Sequence, residues 1–295
     1  MKLYTLKMPG NLEEVAVEIE ENLVLLSALN HRFETDWPED LLGLIRKQKI
    51  RPLKKWLEEN KDRIQLVPSL LREKKKQRFA PLYRKPRKIW GIGLNYVEHA
   101  EDLDEKAPSE IPASFVKTDT TIIGSENEIK IPKMSQKTTG EAELGIIIGK
   151  ECKGVEKEGW KDVVAGFTTI IDMTAEDILR KNPRYLTVSK NFDTFFSFGP
   201  CLITTDELPE KIGNLKVFTV LNGKTHAENT VSNMTFPPDF LVSFHSQVMT
   251  LKPGDIISTG TPGAVHINDG DIIECRITGL PPLKNNVVDL KEKSD

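Results

Sequence analysis

Glu141 and Glu143 stand two residues apart in TTGEAELGIIIGK, at the head of the apolar run Leu144, Ile146, Ile147 and Ile148. The run reads as a buried β-strand, and side chains two apart on a strand share a face. Two carboxylates therefore project side by side where the chain enters an apolar interior, and an unpaired buried charge is costly. A third acid, Asp172, ends the strand-like run VVAGFTTIID just before a helical stretch. An acid in that place is commonly a helix N-cap or a ligand. Together the three acids could form an all-oxygen cage with no His or Cys beside it. Such a donor set selects a hard cation, Mg²⁺, Mn²⁺ or Ca²⁺, over zinc. Alternatively, the pair faces solvent at a sheet edge and Asp172 only caps its helix.

Three further groups could act with such a centre. In GIGLNYVEHAEDL, His99 is followed three positions later by Asp102, and a His and a carboxylate on one helical turn can pair as a general base. A structural or simply exposed His is the alternative. Lys190 lies in the aromatic-rich, weakly charged stretch LTVSKNFDTFFSFGP, where it could stabilise an enolate or carboxylate, or snorkel to the surface. In STGTPGAV, Thr259, Gly260 and Thr261 could offer N–H and hydroxyl groups to an oxyanion, or form an ordinary hairpin. No GxGxxG or Walker loop is present.

The elements that must position these groups follow from periodicity. Residues 1 to 30 alternate in short apolar and polar steps, as in a small β-meander. WPEDLLGLIRKQKIRPLKKWLEENK has helical spacing, with Pro52 expected as a break. The Lys-, Arg- and Pro-rich piece at 71–88 is the expected boundary between a small N-terminal domain, 1–80, and a main domain, 81–295. That basic run reads either as a solvated linker or as an anion or partner patch. Beyond it come many short apolar runs broken by Gly, Pro, Asn and Asp. Asn222-Gly223 between VFTVL and KTHAEN is a hairpin signal. Helical pattern is limited to TAEDILRKN, with Thr174 expected as N-cap, and FPPDFLVSFHSQVM at 236–249. The expected fold is α+β and strand-dominated, with peripheral helices.

Composition narrows the class. The 295-residue chain is 38% apolar and 29% charged, which describes a folded globular protein. A net charge of −3 and a pI near 6.1 provide no basic field for nucleic acid and no polybasic block for an anionic membrane. No signal-peptide h-region and no membrane-spanning run is visible. Three cysteines, odd in number and far apart, read as reduced thiols, so the cytoplasm is the expected compartment.

In this order GLNYVEHA, GEAELGIIIGK, GFTTIIDMTAED, SKNFDTFFSFGP, LNGK, LKPGDIISTGTPGAV and GDIIECRITGLPPLKNNV resemble the fumarylacetoacetate hydrolase family over residues 85–290, on its acylpyruvate hydrolase and heptadienedioate isomerase side. The resemblance implies a mixed β-roll or β-sandwich core and a homodimer with one Mg²⁺ or Mn²⁺ per subunit. It implies a small-molecule 2-oxo acid substrate. Glu141, Glu143 and Asp172 match the metal ligands, which would offset the buried charges. His99 matches a catalytic His on a lid, Lys190 an active-site Lys, and Thr261, beside Gly260, a substrate contact. Residues 1–80 match a small variable domain with little chemistry.

Three places depart from the family pattern. Asp102, with Glu101 beside it, replaces the Glu that usually pairs with the lid His. Glu176 and Leu179 stand where an Arg and a Gln are common, and Glu176 would repel a substrate carboxylate that Arg would grip, which argues against a small dianion such as oxaloacetate. In GTPGAV the second Gly is shifted forward. The expected chemistry is hydrolytic C–C cleavage of an acylpyruvate-like acid through a metal-stabilised enolate, with His99 activating water and Lys190 and Thr261 holding charge. Isomerase, hydratase or decarboxylase chemistry at the same site is the alternative, and a non-catalytic 2-oxo acid binder a further one.

Overall fold

The computed structural model describes residues 1–97 and 108–291; His99, Glu101 and Asp102 lie outside the described residues. In chain order, β1 (Lys2–Lys7), β2 (Glu13–Ile19) and β3 (Asn22–Leu25) form the expected meander. Helices α1 (Leu26–Phe33), α2 (Leu41–Arg46) and α3 (Ile50–Gln65) follow. Leu53, Leu57 and Ile64 bury one stripe of α3 at helical spacing. Pro52 does not break this helix. It occupies the first turn, where a missing N–H removes no intrahelical bond, and the chain instead turns before it, at Gln48 with φ +56°.

Strands β4 (Arg72–Glu73), β5 (Ile89–Gly93), β6 (Ala113–Lys117), β7 (Ile122–Ile123) and β8 (Glu128–Ile131) lead into two long ones, β9 (Thr138–Ile148) and β10 (Val164–Ala175). Two short helices, α4 (Glu176–Lys181) and α5 (Leu186–Lys190), precede β11 (Phe196–Ile203). The hairpin β12 (Lys216–Leu221)–β13 (Lys224–Thr230) turns at Asn222 and Gly223, both with positive φ, as its Asn-Gly pair predicts. Helix α6 (Pro238–Val248) is followed by β14 (Ile256–Ser258), β15 (Ala264–His266), β16 (Ile272–Ile277) and β17 (Leu283–Asp289).

Among the described residues these strands make two mixed sheets. The larger runs β4-β3-β2-β1-β11-β10-β9-β14-β5-β6, with β15 added on β9 and β7 on β11; the smaller runs β13-β12-β16-β17-β8. β1 pairs directly with β11, Leu3 opposite Leu202, so one sheet crosses the region expected to separate two domains. The burial of Leu3, Tyr4, Thr5 and Leu6 on both faces of β1 is what an interior strand requires.

The two faces of β9 meet different partners. Leu144, Ile146 and Ile148 pack with Val217, Ile273 and Cys275 of the smaller sheet. Ile147 points the other way and joins Ile170, Phe196 and leucines of the N-terminal helices, among them Leu29, Leu41 and Leu53. Glu143 and Glu141 share that second face with Ile147, so the alternation that builds the core also delivers both acids to one side.

Candidate metal centre

The antiparallel register of β9 and β10 sets Asp172 opposite Glu141 and Ile170 opposite Glu143. The three carboxylates can each offer an oxygen within 4.8 Å of the others. Glu143 and Asp172 are buried, while the Glu141 side chain is 12% exposed. β9 lies inside the larger sheet, between β10 and β14, so the pair does not sit on a solvent-facing edge. Asp172 is not at the strand's end either, since β10 continues to Ala175.

Thr174 is therefore a strand residue. The N-cap of α4 is Ala175, without a side-chain cap bond, and the Thr174 hydroxyl donates instead to Glu141 Oε1 at 2.6 Å. The Thr139 hydroxyl reaches the same oxygen at 3.4 Å. Glu143 Oε2 accepts from the Ser258 hydroxyl at 2.5 Å and from the Gly260 N–H at 2.8 Å. The glycine turn thus directs a backbone donor to a carboxylate of the triad. Gly260 has φ +93°, and its backbone approaches Asn95 closely enough that an added Cβ would lie 2.8 Å from Asn95 Cβ. Thr261 is buried in the same turn, its hydroxyl donating to the Gly263 carbonyl at 3.1 Å.

Two lysines approach the acids from outside the strand pair. Lys190, at the end of α5, donates to Asp172 Oδ2 at 2.7 Å and Glu141 Oε2 at 3.0 Å, and its ammonium lies 4.6 Å from the centre of the Phe115 ring. Lys117, the last residue of β6, donates to Asp172 Oδ1 at 2.5 Å and to the Met173 carbonyl at 3.3 Å; its side chain has no exposed surface. Sequence reasoning missed Lys117. In SFVKTDTT it reads as any lysine that ends a strand, and nothing local marks its acidic partner 55 residues away.

The electrostatics record three acids held by two cations. Burial, then the charges of Asp172 and Glu141, push the Glu143 carboxyl up to about 8. Burial raises the Asp172 pKa less than Lys117 and Lys190 lower it, so it is held below the ordinary Asp value. Burial lowers Lys117 to about 8 despite its acidic partner. For Lys190 burial acts in the same sense, but Asp172, Glu141 and Glu143 outweigh it and hold the ammonium above the usual lysine range. An all-oxygen, net-negative set of buried donors without His or Cys is suited to a hard divalent cation.

Glu176 is tied by Lys137 at 2.9 Å and by Arg180 at 2.5 Å, so its charge is met within its own cluster. Among the described residues no helix is long and apolar enough to cross a membrane.

The same stretch of chain is shared with known proteins. The family model described as fumarylacetoacetate (FAA) hydrolase C-terminal matches residues 88–288. An uncharacterised protein of Archaeoglobus fulgidus is 40% identical over 204 residues, covering 69% of this chain and 79% of that one. Mitochondrial oxaloacetate tautomerase FAHD2A of Homo sapiens is 35% identical over 218 residues, covering 71% of this chain and 68% of that one. The crystal structure of maleylpyruvate hydrolase from Sphingobium sp. SYK-6, in complex with manganese(II) ion and pyruvate, matches with a TM-score of 0.78 at 27% identity, over 98% of this chain and 99% of that one. With its two-sheet α+β architecture and its acidic triad inside the matched region, the chain belongs to the fumarylacetoacetate hydrolase family and is an enzyme.

Proposed function

We propose that this enzyme is a divalent-metal-dependent hydrolase that cleaves a C–C bond in an acylpyruvate-like, 2,4-diketo acid. The observation that carries this is the triad: Glu141, Glu143 and Asp172 converge within 4.8 Å, Lys117 and Lys190 are hydrogen-bonded to Asp172 and Glu141, and the Glu143 carboxyl, pushed up to about 8, is the one a bound cation would ionise. Mg²⁺ or Mn²⁺ bound there would supply Lewis-acid stabilisation of the negative charge that builds on the 2-oxo group as the bond breaks. That maleylpyruvate hydrolase holds manganese and pyruvate supports the same choice of ligands.

The chain's own residues take the remaining roles. Lys190, whose ammonium bridges Glu141 and Asp172, binds the substrate carboxylate and holds it in register with the acids. Thr261, in the turn that also directs the Gly260 N–H to Glu143, lines the substrate side. His99, for which the sequence offers Asp102 or Glu101 as the orienting acid, would take the proton from the attacking water. A homodimer follows from the resemblance, and sedimentation at twice the 33.3 kDa chain mass is the expected result.

A second function shares this site. Keto–enol tautomerisation of a 2-oxo acid needs the same charge stabilisation but no attacking water, and the 35% identity to oxaloacetate tautomerase FAHD2A favours it.

The deciding experiment is oxalate titration by calorimetry with and without Mg²⁺ or Mn²⁺, on the wild type and on Glu143→Ala, followed by turnover of a panel of acylpyruvates and of enol-oxaloacetate. Metal-dependent oxalate binding that Glu143→Ala abolishes, with cleavage of at least one acylpyruvate, is expected. Oxalate binding that ignores metal would remove the metal centre from the mechanism. Turnover of enol-oxaloacetate alone would replace the hydrolase by the tautomerase.

A further inference from the structure

We infer that Lys117 determines which divalent cation the triad accepts, by restricting Asp172 to coordination through one oxygen; this rests on the metal-centre reading above. The frame engages one oxygen of every acid. Thr174 and Thr139 donate to Glu141 Oε1, Ser258 and Gly260 to Glu143 Oε2, and Lys117 to Asp172 Oδ1. Glu141 Oε2 and Asp172 Oδ2 are instead bridged by Lys190, at 3.0 and 2.7 Å. Glu143 Oε1 is the remaining oxygen of its carboxylate.

The six oxygens therefore fall into a held set and an offered set, one of each per residue. Three single-oxygen ligands suit Mg²⁺, which takes six short bonds in near-octahedral geometry and keeps several waters. Ca²⁺ takes six to eight longer bonds and gains from carboxylates that bind through both oxygens. For Asp172 to do so, Oδ1 must leave Lys117.

That release is the least favourable of the three. Thr174 and Ser258 are neutral hydroxyls, so withdrawing a carboxylate oxygen from either strands no charge. The Lys117 side chain has no exposed surface, and among the described residues its ammonium has, besides Asp172, only the Met173 carbonyl, at 3.3 Å. Withdrawing the carboxylate oxygen would leave a buried cation uncompensated. Lys190, by contrast, contacts the two offered oxygens, so a cation that takes them leaves the held set in place. Lys117 is thus a positioning residue for the metal, acting through Asp172.

The test is calorimetric titration of Mg²⁺ and Ca²⁺ into the full chain, comparing the wild type with Lys117→Met and Lys117→Gln after circular dichroism has confirmed folding. The readout is the ratio of the Ca²⁺ to the Mg²⁺ dissociation constant. Both cations carry the same charge, so loss of the lysine charge largely cancels in the ratio. Lys117→Met is expected to shift the ratio toward Ca²⁺ by roughly tenfold, and Lys117→Gln, which keeps an N–H donor, by less than about threefold. An unchanged ratio in folded Lys117→Met overturns the inference while leaving the metal centre standing; a wild type that binds neither cation overturns both. Infrared difference spectra of the Ca²⁺-loaded wild type, with aspartate carboxyls labelled with ¹³C to set them apart from glutamate, test it without any substitution. A one-oxygen aspartate band is expected, and a two-oxygen aspartate band would refute it.

Discussion

The Lys190 ammonium lies 2.7 Å from Asp172 Oδ2, on an oxygen that the triad would otherwise offer to a cation. With Glu141 Oε2 at 3.0 Å, Lys190 stands in for part of the positive charge the acids require. A cation bound to the triad would therefore compete with the ammonium, and under the proposed function metal loading would free Lys190 for the substrate. Lys190→Met is expected to bind Mg²⁺ roughly tenfold more tightly than the wild type while losing turnover, since one like charge is removed from the site. Calorimetry on the substrate-free protein checks this. Weaker binding in the variant would mean that Lys190 supports the cation rather than opposing it.

Gly260 joins the turn to the triad through its N–H, and its φ of +93° is unfavourable for any side chain. Gly260→Ala adds a Cβ 2.8 Å from Asn95 Cβ and 3.0 Å from the Ile92 carbonyl oxygen. Asn95 cannot easily retreat, because its side chain donates to the Thr259 and Phe236 carbonyls and accepts from the Phe236 N–H. A loss of about 1–3 kcal/mol of stability is expected by denaturant titration. Mg²⁺ affinity should fall with it by roughly tenfold, because relieving the clash shifts the turn and moves the residue-260 N–H off Glu143. A destabilised variant with wild-type Mg²⁺ affinity would separate the turn from the metal site.

The Glu176 carboxylate, expected to repel an anionic substrate, accepts from both Lys137 and Arg180. With its charge met locally, Glu176→Gln is expected to change metal-dependent oxalate affinity by less than about threefold. A gain far above that would show that the charge reaches the pocket and excludes dianions.

Asp177 supplies a pH dependence that is independent of the triad. Its carboxylate accepts from the Ser135 hydroxyl at 2.7 Å and from the N–H groups of Gln136 and Lys137 at 3.1 and 3.4 Å. Partial burial acts against ionisation, but these bonds outweigh it and hold the carboxyl below the ordinary Asp value. A carboxyl whose pKa is lower in the folded than in the unfolded chain stabilises fully above its unfolded pKa, and that contribution is lost as pH falls through its folded one. The Tm difference between wild type and Asp177→Asn should therefore be constant near neutrality and shrink below about pH 4. A difference that persists in acid would assign the effect to packing.

Much of this protein is written in short-range pattern. The two-residue period places Glu141 and Glu143 on one face, and Asn222-Gly223 sets its hairpin, because both depend on backbone geometry within a few residues. The same local logic misplaces Pro52 and Thr174. A proline is compatible with a first helical turn as well as with a break, and a threonine hydroxyl caps a helix or binds a carboxylate according to where its strand ends. Only the tertiary structure could decide which strands lie side by side. The pairing of β9 with β10 brings Asp172 across from Glu141, 31 positions away in sequence, and β6 carries Lys117 to Asp172 from 55 positions away. Long-range pairing is set by the burial of both faces of a sheet, which no local window contains, whereas a carboxylate once buried requires a counter-charge from whatever segment the fold brings near it.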